Sequence, residues 1–221
     1  MHEPGESPAG PDFKLLLVGA TGLVGRHVLR QALADRRIGS VVAPVRRALA
    51  AHPKLLSPCV DFEQLDAQAP WWQADAVICT LGTTMRIAGS QAAFRRGDHD
   101  YPLDVARLAR AHNTPTYALN SAIGADPASR FFYNRVKGAL EQDLAAQGFA
   151  SLTFVRPGVI DGDRDALRLG EGLLVAALKL AGPVLPRRWR ANPAPHIAQA
   201  LLSAALDAPP GVHVVEADRL V

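Results

Sequence analysis

Short apolar runs alternate with helix-like patterns along most of the chain. Residues 13–18 are almost all apolar and end at a glycine turn, which is typical of a strand buried on both faces. From Leu23 onward, apolar residues recur every four positions, which predicts a helix. Further strands are predicted at 40–45, 59–62, 74–80, 116–120 and 151–155, and further helices at 98–112 and 129–147. Because strands and helices alternate at these intervals, we expect an α/β fold with a Rossmann-like, doubly wound parallel sheet.

The C-terminal part of the chain carries fewer regular patterns. An apolar helix is predicted at 173–181, another helix around 197–206, and a late strand at 212–215 that would complete the sheet. We interpret residues 13–221 as one Rossmann-type domain, with 161–210 as a helical extension on the substrate side and 1–12 as a flexible tail. Two interpretations of the helix at 173–181 stay open, a core element or the face of a homodimer.

Composition and charge narrow the class of protein. Hydrophobic residues make up 48% of the chain and charged residues 20%, which excludes a disordered, collagen-like or coiled-coil protein. The net charge is only +3, so we expect no nucleic-acid partner. No stretch has the features of a signal peptide or the length of a membrane span, so we expect no membrane partner. Cys59 and Cys79 lack zinc-type spacing and a chain of this size needs no disulfide, so we expect a cytoplasmic protein.

The glycines after the first strand are a candidate binding site. The run Gly19-Ala20-Thr21-Gly22-Leu23-Val24-Gly25 lies between the predicted first strand and first helix, where dinucleotide-binding folds place their pyrophosphate loop. Glycines permit a tight turn and a close approach of backbone to phosphate, and the N–H groups at a helix start favour an anion. The spacing is G-x-x-G-x-x-G rather than G-x-G-x-x-G. The pattern by itself therefore fits either a dinucleotide site or an ordinary glycine-rich turn.

The residues after the second strand bear on the choice of dinucleotide. NAD-binding folds usually have an acidic residue about 20 residues beyond the loop, where it binds the ribose 2′-hydroxyl. This chain has Arg46 and Arg47 at that point. A guanidinium pairs with a 2′-phosphate, so we predict that NADP(H) is the preferred cofactor and keep NAD(H) as the alternative. A pair of solvated arginines in a surface loop is the competing interpretation.

Tyr133 and Lys137 lie one turn apart on the same face of a predicted helix. A free tyrosine titrates near about 10, and a nearby ammonium lowers the pKa of a phenol. Tyr133 would then exchange a proton with a carbonyl or alcohol near neutral pH. Ser121 follows the predicted strand 116–120, so its hydroxyl would point at the same reacting oxygen. We predict a catalytic set of Ser121, Tyr133 and Lys137, and packing of a tyrosine against a lysine stem is the alternative.

Together these motifs resemble the atypical branch of the short-chain dehydrogenase/reductase superfamily. Several stretches are similar, more narrowly, to the Tat-interacting-protein-type oxidoreductases, in the same order and across most of residues 13–160. The stretches are GATGLVG (19–25), VDFEQLD (60–66), CTLGTT (79–84), GDHDY (97–101), YNRVKG (133–138) and VRPGV (155–159). The resemblance implies an NADP(H)-binding Rossmann domain that transfers hydride to the carbonyl of a small molecule, with Tyr133 as the acid.

The resemblance also implies which residues contact the cofactor. The pyrophosphate would be bound by Gly19, Thr21, Gly22, Leu23 and Val24, and the adenosine phosphate by Arg46 and Arg47. Adenine would lie near Asp61 and Phe62, with Leu81, Gly82 and Thr83 along the ribose. Lys137 would touch the nicotinamide ribose, and the nicotinamide would be bordered by Pro157, Gly158 and Val159.

Two features separate this chain from the family pattern. The family usually has Ser-Ser-Lys-Gly-Ala after the fifth strand, whereas residues 120–125 here are Asn-Ser-Ala-Ile-Gly-Ala. Ser121 is kept, but the lysine beside it is absent, so contacts with the substrate there would differ. The human members of the group are also discussed as regulators. A protein that senses NADP(H) without turning it over is therefore the alternative function.

Two charged clusters remain outside this assignment. The basic cluster 187–190 has a tryptophan inside it, which fits a solvated loop, or else a contact with a phosphorylated substrate or nucleic acid. Asp98, His99 and Asp100 resemble metal ligands superficially, but no second group of ligands lies at a suitable spacing and a helix start explains acidic residues. We therefore expect no metal site.

Overall fold

Seven parallel strands form one sheet in the computed structural model, which describes residues 12–161 and 190–221. In chain order they are β1 (Phe13–Val18), β2 (Ile38–Val42), β3 (Leu55–Leu56), β4 (Ala76–Cys79), β5 (Thr116–Asn120), β6 (Ser151–Arg156) and β9 (Gly211–Glu216), while β7 (Ile160–Asp161) pairs separately with β8 (Asn192–Pro193). The order across the sheet is β3-β2-β1-β4-β5-β6-β9, with every pair parallel. This is the strand order of a Rossmann fold extended by one strand, so the predicted fold class is confirmed.

Helices connect the strands. They are α1 (Leu23–Ala34), α2 (Met85–Ala88), α3 (Gln91–Arg95), α4 (Tyr101–Ala111), α5 (Phe132–Ala145) and α6 (Ala194–Asp207). One π-helical turn, Arg96–Asp100, joins α3 to α4 without a break. Residues Arg95 and Tyr101 on either side of it keep right-handed helical backbone angles, so α3, the turn and α4 run as one distorted helix.

The core lies on both faces of the sheet. Leu15 and Leu17 of β1 pack in a cluster with α1 and α6, whereas Leu16 and Val18 pack in a second cluster with α4 and α5. Successive strand residues point to opposite faces, so a strand covered on both sides needs apolar residues throughout. This explains the unbroken apolar run at 13–18. Each fully buried leucine contributes about 1.5–3 kcal/mol.

The carboxyl ends of the strands meet at one edge. The strand order reverses between β1 and β4, because the chain leaves β1 toward β2 and returns to β4 on the other side. In open α/β sheets a crevice forms at such a point, outside the carboxyl ends of the strands. The segments that follow β1, β4, β5 and β6 therefore all border this crevice, and they contain most of the residues singled out in the sequence.

Several predicted boundaries differ from the structure. The second strand begins and ends earlier than the predicted 40–45. The strand predicted at 59–62 is wrong, because the third strand is Leu55–Leu56 and Cys59 forms only an isolated bridge with Val45. Asp61 accepts a hydrogen bond from the N–H of Glu63 at 2.9 Å, which turns the chain there.

The remaining helices and strands agree more closely with expectation. The helix predicted at 98–112 begins earlier, in α3, and the helix predicted at 129–147 is shortened to α5. Gly148, placed just after that helix, has φ of 72°, as a left-handed position there requires. The late strand is confirmed as β9, which pairs with β6 at the sheet edge. The helix predicted at 173–181, nearly all of the tail and most of the cluster 187–190 lie outside the described residues.

Candidate functional site

The first and third glycines of the loop after β1 are required by the packing around them. Gly19 has φ of 87°, and a Cβ there would lie 2.6 Å from the carbonyl carbon of Thr80. A Cβ on Gly25 would lie 2.1 Å from the carbonyl oxygen of Gly19. Since real contacts of this kind do not occur below about 3 Å, any side chain at either position would push α1 away from the ends of β1 and β4.

Gly22 differs from the other two glycines because its surroundings are open. A Cβ there would meet only the carbonyl oxygen of Gly19, at 3.3 Å, and the residue is exposed. Gly22 is the N-cap of α1, and the first turn of this helix has neither a capping side chain nor an acidic residue. The first N–H groups of a helix have no partner within it. This open, positively polarised cradle therefore fits the pyrophosphate of a dinucleotide; beside it Thr21 is exposed, Leu23 half-buried and Val24 buried.

Thr80 locks the loop to the end of β4. Its hydroxyl lies 3.0 Å from the carbonyl oxygen of Val18 and 3.1 Å from that of Gly19, and its N–H donates to Val18 at 2.8 Å. These contacts hold the glycine loop against the segment Leu81–Thr83. This role could not be predicted from the sequence, because a threonine at the end of a strand is common.

The residues expected near the adenosine end lie in two surface segments. Arg46 and Arg47 are exposed and come directly after Val45, which pairs with Cys59 as an extension of β2. Asp61 is exposed, and its carboxylate accepts the N–H of Glu63. Phe62 is half-buried and its ring centroid lies 5.8 Å from that of Tyr101. The two guanidinium groups are thus available at the surface, while Asp61 and Phe62 are held in local contacts.

Lys137 is buried and forms an ion pair with Asp98, to which the sequence analysis assigned no role in the site. Its Nζ lies 2.8 Å from Oδ1 of Asp98, and the two side chains are 4% and 1% exposed. The other oxygen of Asp98 accepts the N–H of Thr83 at 2.7 Å. A Cβ on Gly82 would lie 3.2 Å from the Asp98 carboxylate and 3.7 Å from Nζ of Lys137. Asp98 thus joins the segment after β4 to the lysine of α5.

The π-helical turn is what brings Asp98 to this position. Asp98 and His99, two consecutive residues of the turn, are both buried. The ring of His99 lies between the carboxylates of Asp100, at 2.8 Å, and Asp143 on α5, at 3.0 Å. The prediction that a helix start explains these acidic residues is wrong, because α3, the π-helical turn and α4 run through them without a break. The sequence signal that could have found Asp98 is the need of a buried lysine for a counter-charge.

The charge of Asp98 changes the electrostatics expected for the Tyr133–Lys137 pair. Burial, the largest single effect, lowers the pKa of Lys137. The attraction and hydrogen bond of Asp98, together with the attraction of Tyr133, outweigh burial, and the net shift is upward. Although Tyr133 is 39% exposed, its ring packs 5.6 Å from that of the buried Phe94. Burial raises the pKa of Tyr133, Lys137 opposes this, and Asp98 adds to it, so the net shift is upward. The prediction that Lys137 lowers the pKa of Tyr133 below its ordinary value is therefore wrong, because burial and Asp98 outweigh the lysine.

Ser121 has a carboxylate partner within the protein. It lies just beyond β5 and is buried, and its N–H continues the pairing with β6 by donating to Val155 at 2.7 Å. Its hydroxyl donates to Oε1 of Glu141 at 2.5 Å. Glu141 is on α5, two turns after Tyr133 and one turn after Lys137, and had no predicted role.

The segment after β6 is fixed by an asparagine from the C-terminal part of the chain. Asn192 is fully buried; its Oδ1 accepts the N–H of Gly158 at 2.7 Å and its Nδ2 donates to Ala217 at 2.8 Å. Its own N–H donates to the carbonyl of Val159 at 2.8 Å. Pro157 is buried, Gly158 half-buried and Val159 exposed at the crevice. Nothing in the local pattern around Asn192 indicated this role.

Within residues 12–161 and 190–221, no group of three or more His, Cys, Asp and Glu side chains could hold a metal ion. In the same residues no helix combines the length and apolar character needed to cross a bilayer.

Comparisons with known proteins agree with this geometry. A family described as NAD(P)H-binding matches residues 19–172. Protein HTATIP2 of Rattus norvegicus is 38% identical over 80% of this chain and 76% of its own length. Among solved structures, MoeE5 in complex with UDP-glucose and NAD superposes with a TM-score of 0.70 at 16% identity, covering 91% of this chain and 75% of the other. A short chain dehydrogenase family protein from Francisella tularensis gives 0.62 at 14% identity, covering 94% and 98%.

Fungal relatives overturn one expectation. Protein fmp52 of Aspergillus fumigatus is 36% identical over 88% of this chain and 90% of its own length, and it is named mitochondrial. Relatives from Coccidioides immitis and Aspergillus niger carry the same designation. The expectation of a cytoplasmic protein rested on cysteine usage and is contradicted by these names.

The resemblance seen in the motifs is confirmed by these matches. The family match spans more than half of the chain, and the rat relative is similar over most of it. The chain belongs to the NAD(P)H-binding family and has the fold of the short-chain dehydrogenases.

Proposed function

We propose that this protein is an NADP(H)-dependent oxidoreductase that reduces the carbonyl group of a small molecule. The observation that carries the proposal is the pair Tyr133 and Lys137 at the start of α5, with Lys137 fixed by Asp98 against the segment after β4. A protein that only binds a dinucleotide needs the glycine loop but neither a partly exposed phenol nor a buried ammonium beside it. Their presence favours turnover.

The cradle at the start of α1 would hold the pyrophosphate, through Gly19, Thr21, Gly22, Leu23 and Val24. Arg46 and Arg47, exposed after β2, would bind a 2′-phosphate, which supports NADP(H) over NAD(H). Asp61 and Phe62 would border adenine, and Leu81, Gly82 and Thr83 the ribose. Lys137 would contact the nicotinamide ribose, and the segment Pro157–Val159, held by Asn192, would border the nicotinamide.

The protein's own groups would handle the proton. When bound, the reduced nicotinamide supplies a hydride to the carbonyl carbon. Tyr133 gives its phenolic proton to the carbonyl oxygen, and solvent later restores that proton. The pKa of Tyr133 is raised, so the phenol holds its proton at neutral pH. It gives that proton up only as hydride transfer turns the carbonyl oxygen into an alkoxide, which is a much stronger base than a phenolate. The Lys137 ammonium then stabilises the phenolate that remains.

The surroundings of Tyr133 support an apolar substrate. Large apolar side chains stay exposed in the segments that follow β4, β5 and β6 at the crevice, and they belong to Met85, Ile87, Ile123, Phe131 and Val159. The carbonyl of Ile123 accepts a hydrogen bond from Asn134, the neighbour of Tyr133, at 3.1 Å, and Ile123 in turn donates its N–H to Pro157. Exposed apolar groups collected around a polar centre are typical of ligand sites. We infer that the substrate is an aldehyde, ketone or quinone with an apolar body.

The test is NADPH oxidation across a panel of aldehydes, ketones and quinones, paired with fluorescence titration of NADPH. Tyr133→Phe should lower turnover by about 10²–10⁴-fold, the usual contribution of a positioned acid, with NADPH affinity nearly unchanged. Tyr117→Phe is the matched control, because its buried hydroxyl donates to Pro102 at 3.0 Å within the core. If the native protein binds NADPH and reduces no carbonyl, the reductase proposal fails and a sensing role replaces it.

A further inference from the structure

Three side chains that are distant in sequence, those of Glu63, Arg96 and Tyr101, converge at the start of α4 and are called the Glu63 cluster below. Arg96 donates from Nε to both carboxylate oxygens of Glu63 at 2.8 Å, and its Nη2 also donates to Oε2. The hydroxyl of Tyr101 donates to Oε1 of the same carboxylate. The hydrogen bonds from Arg96 and Tyr101 hold the pKa of Glu63 below its usual range. Glu63 is therefore held as a charged carboxylate by two residues from another part of the chain.

The Glu63 cluster lies at the side of the crevice where the adenosine half of a dinucleotide is proposed to bind. The N–H of Val60 donates to the carbonyl of Val45 at 2.9 Å, beyond the carboxyl ends of β2 and β3. Arg46 follows one partner of this hydrogen bond and the segment 61–63 follows the other. The proposed phosphate ligand and the proposed adenine-binding segment are thus neighbours, and the cluster is attached to the second of them.

The cluster also holds Phe62, which is proposed to border adenine. The ring of Phe62 packs 5.8 Å from that of Tyr101, so both the side chain and the next residue along the chain, Glu63, are fixed against α4. Arg96 begins the π-helical turn, which also carries Asp98. One turn of the chain therefore supports the adenosine side of the crevice and the buried ion pair at its other side.

The exposure of the cluster argues against a role in stability alone. The side chains of Glu63 and Arg96 are 42% and 56% exposed, and ion pairs with this exposure contribute little to the stability of a fold. Their geometric effect is larger, because several contacts keep one surface segment in a single conformation. A binding segment that is ordered before the ligand arrives loses less conformational freedom on binding, and its affinity is higher for that reason.

We propose that Glu63, fixed by its cluster, is a positioning residue that keeps Asp61 and Phe62 ready to bind the adenosine half of the dinucleotide. Glu63 itself contacts no part of the cofactor. This rests on the proposed function, from which it takes the dinucleotide as the ligand and the position of adenine. The role is confined to the adenosine half, so it is independent of any carbonyl substrate.

Calorimetric titration of the whole protein with 2′,5′-ADP, the 2′-phosphorylated adenosine half of NADPH, tests this role without turnover. Glu63→Gln should weaken binding by roughly 2- to 10-fold, because the segment must then be ordered during binding. The loss of a negative charge by itself would strengthen the binding of a phosphate, so weaker binding cannot come from the charge. Tyr101→Phe keeps every charge and the ring beside Phe62, and it should weaken binding in the same way.

Two further probes and one further variant are the controls. The probe 5′-AMP lacks the 2′-phosphate and should lose affinity by the same factor, because the cluster holds the adenine side and not the phosphate. Reduced nicotinamide mononucleotide lacks the adenosine, so its affinity should be unchanged. Asp104→Asn breaks an exposed ion pair with Arg107 on α4 and should change the affinity for none of the probes. All of these variants should unfold within about 4 °C of the native protein.

Each outcome has a distinct meaning. Unchanged or tighter binding of 2′,5′-ADP in Glu63→Gln and Tyr101→Phe overturns the positioning role. So does an equal loss for reduced nicotinamide mononucleotide, which would show a general effect on the site, and so does a loss that is absent with 5′-AMP. If the native protein binds neither adenosine probe, the positioning role and the cofactor assignment fail together. If the probes behave as described while no carbonyl is reduced, the reductase proposal fails and the positioning role stands.

Discussion

The buried pair between Asp98 and Lys137 gives the sharpest test of how this site is held together. Asp98→Asn keeps the shape of the side chain and an oxygen for the N–H of Thr83, but it removes the negative charge. The two side chains are 1% and 4% exposed and their charged atoms lie 2.8 Å apart, so water cannot replace the lost partner. Breaking a buried pair on one side costs about 3–5 kcal/mol.

The expected loss is large enough to measure in several ways. For a protein of this size it corresponds to a fall in Tm of roughly 6–20 °C, at about 2–4 °C per kcal/mol. Urea unfolding followed by circular dichroism gives the free energy of unfolding directly. The control is Asp104→Asn, because Asp104 pairs with Arg107 at 3.3 Å in the exposed part of α4. That substitution should cost no more than about 1 kcal/mol.

A double-mutant cycle separates the pair from other effects. Lys137→Met removes the other charge, and the double variant Asp98→Asn, Lys137→Met leaves neither charge buried. Because the two remaining groups are neutral, the double variant should lose much less stability than the sum of the single variants. Losses that add to within about 0.5 kcal/mol would refute a direct interaction between the two charges.

Three further predictions concern the cofactor loop, cofactor choice and pH. Gly25→Ala should abolish NADPH binding in a titration and lower the free energy of unfolding by about 1–3 kcal/mol, because its Cβ would lie 2.1 Å from the carbonyl oxygen of Gly19. In the control Gly22→Ala the Cβ would lie 3.3 Å from the same oxygen, so this variant should fold normally. Arg46→Ala should weaken NADPH binding by roughly 10- to 150-fold and leave NADH binding unchanged, whereas the control Arg36→Ala, at an exposed arginine between α1 and β2, should change neither. Equal affinities for the two cofactors in the native protein would contradict the role of Arg46. Because the pKa of Lys137 is raised in the folded protein, its contribution is present below 10.5, its ordinary value, and is lost as pH rises beyond it. Urea unfolding at alkaline pH should show a steeper loss in the native protein than in Lys137→Met.

The sequence was most informative where structure depends on neighbouring residues. The apolar run 13–18 and the repeat from Leu23 each follow from local patterns, and both predict the observed β1 and α1 closely. The spacing of Gly22 and Gly25 likewise reflects contacts within one turn, because a Cβ on either would meet the carbonyl oxygen of Gly19. The short strand Leu55–Leu56 was not predicted, because it pairs with β2 through only two residues, which are too few to produce an alternating pattern.

The partners of the catalytic candidates could not be predicted in the same way. Asp98, Glu141 and Asn192 act through contacts with residues that are distant in sequence, and their own surroundings in the chain are unremarkable. The upward shift in the pKa of Tyr133 shows the consequence. From Lys137 alone the opposite direction follows, and only the folded chain adds burial against Phe94 and the charge of Asp98. Which charges share a buried space is decided by the packing of α5 against the π-helical turn.

The contact between α1 and α6 connects the cofactor loop to the order in which the chain is made. Gln31 of α1 donates to the carbonyl of Pro195 in α6 at 3.0 Å across 164 residues, and the two helices share one apolar cluster. A nascent chain that has emerged only as far as β6 has the glycine loop but lacks the face of α6 that packs on α1. Until α6 is synthesised, α1 lacks part of the tertiary packing on which the stability of a helix depends. Affinity for the dinucleotide should therefore appear late in synthesis, well after the proposed contact residues, the last of which is Val159, have left the ribosome.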